Sequence, residues 1–251
     1  ETRPTVDLFV AQDRAETLFQ LQSEGQYVLA TQAKSFAEAD SATNKFAGST
    51  VLDVANRMAS EYNAFALPEL TLDEHVQLGR TVYFQDNQLI GYFNREQSRG
   101  YLAAVYTIRN GVMVLDIPDI GTISLKLENT SSKITADIVD DVPHFQIEVS
   151  CKAYISEINQ DLRKKLSLDV YEKFETALNE KLKLQIESAV EQAVIRDSTD
   201  IFNFDVALQQ QQTEYWKVHR DSWAQELAKI KYTVNVTSSV DRVQQEASPA
   251  F

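Results

Sequence analysis

The sequence predicts an α+β fold: several domains, mostly antiparallel sheets each covered by helices, and a carboxyl-terminal part ordered βββααβ with two long helices on one sheet. Two observations carry this. Strict apolar–polar alternation marks Phe145, Ile147, Val149, Cys151 and Ala153, with Gln146, Glu148, Ser150 and Lys152 between them, which is a strand packed on one face and wet on the other. A helical stripe then runs from Leu168 to about Arg196 through Val170, Phe174, Leu178, Leu182, Ile186, Ala189 and Ala193, with Glu and Lys between.

In chain order, Val6 to Val10 reads as a short strand, and a helix begins at Ala15. Residues 23–50 are polar and irregular and read as surface loop with some helix. Ser49 and Thr50 can cap a helix through Val51, Val54, Ala55, Met58 and Tyr62. Phe65 to Leu70, holding Pro68, is extended. Leu78 to Phe84 and Leu89 to Phe93 form a hairpin about Asp86-Asn87, residues that tolerate the positive φ of a tight turn. Asn94 with Gln97 three residues on is a capping box for a helix through Tyr101, Leu102, Val105 and Ile108, stopped by Asn110-Gly111.

Val112 to Ile117 is the next strand. After Pro118, Ile123, Leu125 and Leu127 form one alternating strand and Ile134, Ala136 and Ile138 another, ahead of the strand around Phe145. Behind the long helix, a second helix spans about Val206 to Leu227 and carries Tyr215, Trp216 and Trp223. Ile230, Tyr232, Val234 and Val236 alternate in a closing strand, and the tail from Gln244 has no pattern. The divisions this suggests are 1–72, a small hairpin–helix–strand unit at 73–118, the sheet-plus-helices unit at 119–245, and a frayed 246–251.

The net charge of −13 argues against nucleic acid or anionic lipid as a charge-driven partner, since phosphate binding needs clustered Lys and Arg. The single cysteine, Cys151, can form no intrachain disulfide, and its place in the strand makes it a small buried hydrophobe rather than a reactive thiol. With 7 glycines there is no phosphate loop, and there is no G-x-S-x-G elbow. His75, His144 and His219 are far apart, none with a ligand partner at close spacing. His144 and His219 read as solvent-facing residues. Asp140-Asp141 and the pair Asp116 and Asp119 about Pro118 read as turns and match no calcium loop. A glycosidase-type pair of carboxylates distant in sequence leaves no signature to find. The seven-residue spacing of Trp216 and Trp223 puts both on one helix face, against the sheet rather than around a ligand, and Gln209–Gln212 reads as exposed helix surface. No catalytic, cofactor, metal or binding residue is nominated, and the chain reads as a non-enzyme.

Some of these segments go further together. Asp200-Ile201-Phe202-Asn203-Phe204, then Trp216, Trp223 and the closing strand, resemble the carboxyl-terminal domain of the spore germinant-receptor C subunits, the Ger(x)C germination lipoproteins. That family carries a long Lys/Glu-rich helix, an Asp-x-Phe-Gly-Phe-Gly-like segment, a helix with spaced Trp and a final strand. Val82-Tyr83-Phe84, Asp86-Asn87 and Leu89-Ile90-Gly91, followed by Glu96 and Ser98-Arg99-Gly100-Tyr101-Leu102, are similar to its earlier pattern. LFVAQDRAETLF at 8–19 is similar to the later part of its first domain. Asn203 and Asp205 stand where the family has Gly.

The resemblance implies a subunit of a nutrient germinant receptor, needed for the receptor assembly and signalling that start spore germination. It implies integral-membrane receptor subunits as partners, no cofactor, and a place on the outer face of the spore inner membrane. The anchor would be an amino-terminal lipid not present in this chain, which is then expected to be a trimmed form of a longer precursor. The competing expectation is an exported solute- or cell-wall-binding protein.

Overall fold

The computed structural model describes residues 6–20, 49–60, 62–72, 76–108, 111–158 and 166–241. Its elements, in order, begin with β1 (Asp7–Leu8), β2 (Val10–Ala11), α1 (Ala15–Gln20), β3 (Ser49–Thr50), α2 (Val51–Met58), β4 (Ala64–Leu72), β5 (Val76–Gln85), β6 (Gln88–Phe93) and α3 (Arg95–Val105). Then come β7 (Gly111–Ile117), β8 (Gly121–Val139), β9 (Val142–Glu157), α4 (Leu168–Val190), a π-helical turn (Glu191–Arg196), α5 (Phe204–Gln211), α6 (Thr213–His219), α7 (Trp223–Glu226) and β10 (Lys231–Asp241). The fold is α+β, as the patterning predicts.

Among the described residues two four-stranded sheets dominate. The amino-terminal sheet has the order β2-β4-β5-β6, and the carboxyl-terminal sheet β10-β9-β8-β7. Pairing is antiparallel except at β2–β4 and β10–β9. β10 is parallel because the helical segment carries the chain back across the sheet before it re-enters beside β9. The hairpins form where expected: Asp86 and Asn87 take φ of 49° and 64°, and Asp140 and Asp141 φ of 52° and 60°. Both predicted caps are present, Thr50 with Asp53 at α2 and Asn94 with Gln97 at α3.

The core lies between the sheets. One face of the amino-terminal sheet (Ala64, Ala66, Tyr83, Phe93) meets α3, and the inward face of β7–β9 meets α4 through Phe174, Leu178, Leu182 and Ile186. The helices α3 and α4 touch at Gly100, where a Cβ would overlap the Gln185 backbone. The opposite face of the amino-terminal sheet carries a smaller cluster of Val54, Leu67 and Val82, with Leu8, Val10, Phe65 and Phe84 half-buried around it.

Four expectations need correction. The two strands predicted at 122–128 and 134–138 are one strand, β8, whose register slips between Leu127 and Asn129; a bulge absorbs the lost alternation. The predicted helix from 206 to 227 is three helices, α5 to α7, because Gln212 leaves helical geometry (φ −133°, ψ 51°) while its side chain bonds β8. Helix α3 stops at Val105, since Tyr106 is extended and Ile108 instead exchanges two hydrogen bonds with Thr130. The amino-terminal strand is split, β1 pairing with β3 and β2 with β4. Residues 23–48, His75 and the tail lie outside the described residues.

Candidate functional site

After the π-helical turn the chain runs from Asp197 to Phe204 between the two halves of the molecule. Ser198 and Asn203 take positive φ, and Asn203 adopts the left-handed conformation (φ 66°, ψ 33°) that glycine accepts freely and Asn tolerates. That turn lets Asp200 reach forward to the start of α5. Asp200 is fully buried, and its carboxylate accepts from the backbone N–H of Phe204 (3.0 Å) and Asp205 (2.7 Å) and from Trp223 Nε1 (3.1 Å). A carboxylate there satisfies two otherwise orphaned N–H groups and complements the helix dipole.

Around this point the halves are joined by polar contacts. Tyr62 donates to the Ser198 carbonyl at 2.7 Å. Tyr83 donates to Asp197 and accepts from Gln192 Nε2, which also donates to the Tyr92 carbonyl. Thr199 donates to Gln85 Oε1 at 3.2 Å. Arg57 of α2 donates through Nε to the Ala64 carbonyl at 3.1 Å and through Nη2 to the Asp200 carbonyl at 3.5 Å, while its Nη1 lies 3.9 Å from Asp205 Oδ1. Aromatic rings seal the cluster: Phe202 meets Tyr101 edge-on, Phe204 stacks on Phe145, and Trp223 meets Phe145 and Trp216 edge-on.

Electrostatics follow from the burial. Desolvation, then the charge of Asp200, push Asp205 up to about 7 against the pull of Arg57. Burial also raises Asp200, opposed by its hydrogen-bond donors. Burial raises the hydroxyls of Tyr62, Tyr83 and Tyr101 well above their ordinary range, so they stay neutral donors. The carboxylates of the junction face backbone N–H groups, an indole and a guanidinium.

The residues weighed from sequence lie elsewhere, apart from the tryptophans. Cys151 is buried in β9, its thiol pushed up to about 12 by burial. His144 sits in register between Asp137 of β8 and Lys231 of β10, half-buried, beside an open groove of about 830 Å³ that Gln146 and Gln212 also line. His219 stacks on Tyr215 at 4.0 Å. Asp119, Asp140 and Asp141 occupy turns, and Asp116 accepts from Thr122. Among the described residues no group of three or more His, Cys, Asp or Glu is placed to hold a metal ion. Trp216 and Trp223 pack in the core as expected, but from two helices, α6 and α7, rather than from one face of a single helix.

Gln211 and Gln212 do more than the exposed surface expected of them. The Ala136 N–H donates to Gln211 Oε1, Gln211 donates to the Ile134 carbonyl, and Gln212 to the Ala136 carbonyl. Sequence reasoning missed Asp205, Arg57, Tyr62 and Tyr83. The available signal was an acid on either side of Ile201-Phe202-Asn203-Phe204, an apolar run that is certain to be buried once the helices pack.

Residues 79–244, from within β5 through the junction and past the last residue of β10, match the profile of a protein family described as "Spore germination B3/ GerAC like, C-terminal". The chain belongs to this GerAC-like family. Its fold is shared with a solved structure titled "Crystal Structure of the GerBC protein", at a TM-score of 0.70 and 14% identity, over 95% of this chain and 69% of that one. No curated protein matches the chain. The GerAC-like match takes in Asp200, Asp205 and Trp223, so the junction belongs to the part of the chain that defines the family, while Arg57 and Tyr62 reach it from outside the matched stretch.

Proposed function

We propose that this chain is a non-enzymatic subunit of a nutrient germinant receptor, acting through contacts with integral-membrane receptor subunits to assemble and signal at the onset of germination. The family match over 79–244 carries this reading. The junction supports it, because Arg57, Tyr62 and Tyr83 are engaged in joining the amino-terminal sheet to the segment from Asp197 to Asp200.

Among the described residues no helix is long and apolar enough to cross a membrane. We propose that the protein is held by an amino-terminal lipid on the outer face of the spore inner membrane. A single acyl chain holds a protein only marginally, so partner contacts supply the remainder. The test is purification of the tagged full-length protein from spore membranes: two polytopic proteins should accompany it in stable proportion. Recovery of the protein free of polytopic partners, from a gently solubilised membrane, would overturn the proposal.

A further inference from the structure

Asp200 and Asp205 lie on either side of the left-handed turn at Asn203, 0% and 3% exposed. Three donors occupy Asp200. Asp205 Oδ1 receives no hydrogen bond, and Arg57 stands 3.9 Å from it. Arg57 is already committed through its other nitrogens to the carbonyls of Ala64 and Asp200. The remaining groups facing the pair are the neutral hydroxyls of Tyr62, ahead of β4, and Tyr101 of α3, together with the Trp223 indole of α7. Two carboxylates therefore share one guanidinium in surroundings built of Phe202, Phe204 and Trp223. Fully ionised, the site holds an excess negative charge out of water, which is costly; a single proton removes it. Asp205, whose Oδ1 has no hydrogen-bond partner, has an oxygen open to that proton.

We propose that Asp200, Asp205 and Arg57 form a proton-operated latch between the amino-terminal sheet and the segment 197–211. With one proton shared by the two acids, the latch is closed. When the proton leaves to solvent, by way of a cleft of about 300 Å³ lined by Arg57, Tyr101 and Asn203, the carboxylates repel and the first turn of α5 loosens from α2 and β4. The sign follows from linkage. Asp205 binds its proton more tightly in the closed state, with a pKa of about 7, than in an open state where it has the ordinary 3.8. The stabilisation is complete below the lower value, declines as pH rises through this window, and is gone above the upper one.

Hydrogen–deuterium exchange of the whole chain at pH 5 and pH 8, corrected for intrinsic rates, tests this. Protection of amides in 199–211 and in α2 should fall about tenfold or more between the two, with β9 unaffected. Asp205→Asn, isosteric and unable to ionise, should abolish the difference. Arg57→Gln should move the midpoint to higher pH. Equal protection at both pH values, or a pH effect that survives in Asp205→Asn, overturns the latch. Carboxyl-carbon NMR of the unsubstituted protein provides a second measure should either variant fail to fold. One side-chain carboxyl titrating near 7 is expected, and none titrating above 5 overturns it.

Discussion

The carboxyl-terminal sheet gives one face to the core and the other to solvent, whereas the amino-terminal sheet divides its apolar residues between two faces. In β9 every second residue from Phe145 to Ile155 is buried against the helices, and the alternate residues are polar. In the amino-terminal sheet, Tyr83 and Phe93 face the helices while Val82 and Phe84 face α2, and at the hairpin end Leu89 and Tyr92 remain 58% and 52% exposed. The joint between the halves includes tyrosine hydroxyls, an arginine and three acids beside its rings. Burying a stripe is non-directional and tolerant. Joining two bodies through directional polar contacts fixes their orientation and makes it sensitive to single atoms.

Core truncation separates the two regions most sharply. Phe174→Ala, in the centre of α4, should cost about 4 kcal/mol in urea denaturation. Phe84→Ala, on the thin outer cluster, should cost about 1.5 kcal/mol. Equal losses would erase the distinction. Asp200→Ala should cost about 3 kcal/mol by leaving three buried donors without an acceptor. Asp200→Asn should retain part of that, because an amide oxygen still accepts; if both variants are silent, the joint is held by its rings. Gly100→Val should cost about 2 kcal/mol by forcing α3 away from Gln185 of α4, with near-ultraviolet circular dichroism reporting the disturbed aromatics; a neutral result would mean that the helices can separate freely. Gln211→Ala should cost only about 1 kcal/mol, read as a small drop in melting temperature. A much larger loss would make the β8 edge a principal support of the sheet.

What could be read from sequence was local. Thr50, Asn94 and the turns at Asp86-Asn87 and Asp140-Asp141 specify their geometry within four residues, and the stripes of β9 and α4 repeat at their own periods. The continuity of β8 was hidden because the bulge breaks its alternation, and the break at Gln212 because its cause, a bond to Ala136, lies 76 positions away. The joint was hidden for the same reason: Arg57, Tyr62 and Tyr83 meet their partners across 143, 136 and 114 positions. Asp200 was visible only as the head of a family-like segment. Its capping role needed the left-handed turn at Asn203, which an Asn in a sequence permits but does not announce.

The seated glutamines of α5 also bear on how the molecule meets others. Where β8 outruns β7, its exposed backbone is already bonded to Gln211 and Gln212; Lys181 occupies the Val114 carbonyl of β7, and Glu175 accepts from the Val240 N–H of β10. At these points a foreign strand pairing with the sheet would have to evict side chains rooted in the protein's own helices. That barrier discourages lateral zippering and leaves recognition to surfaces that display side chains.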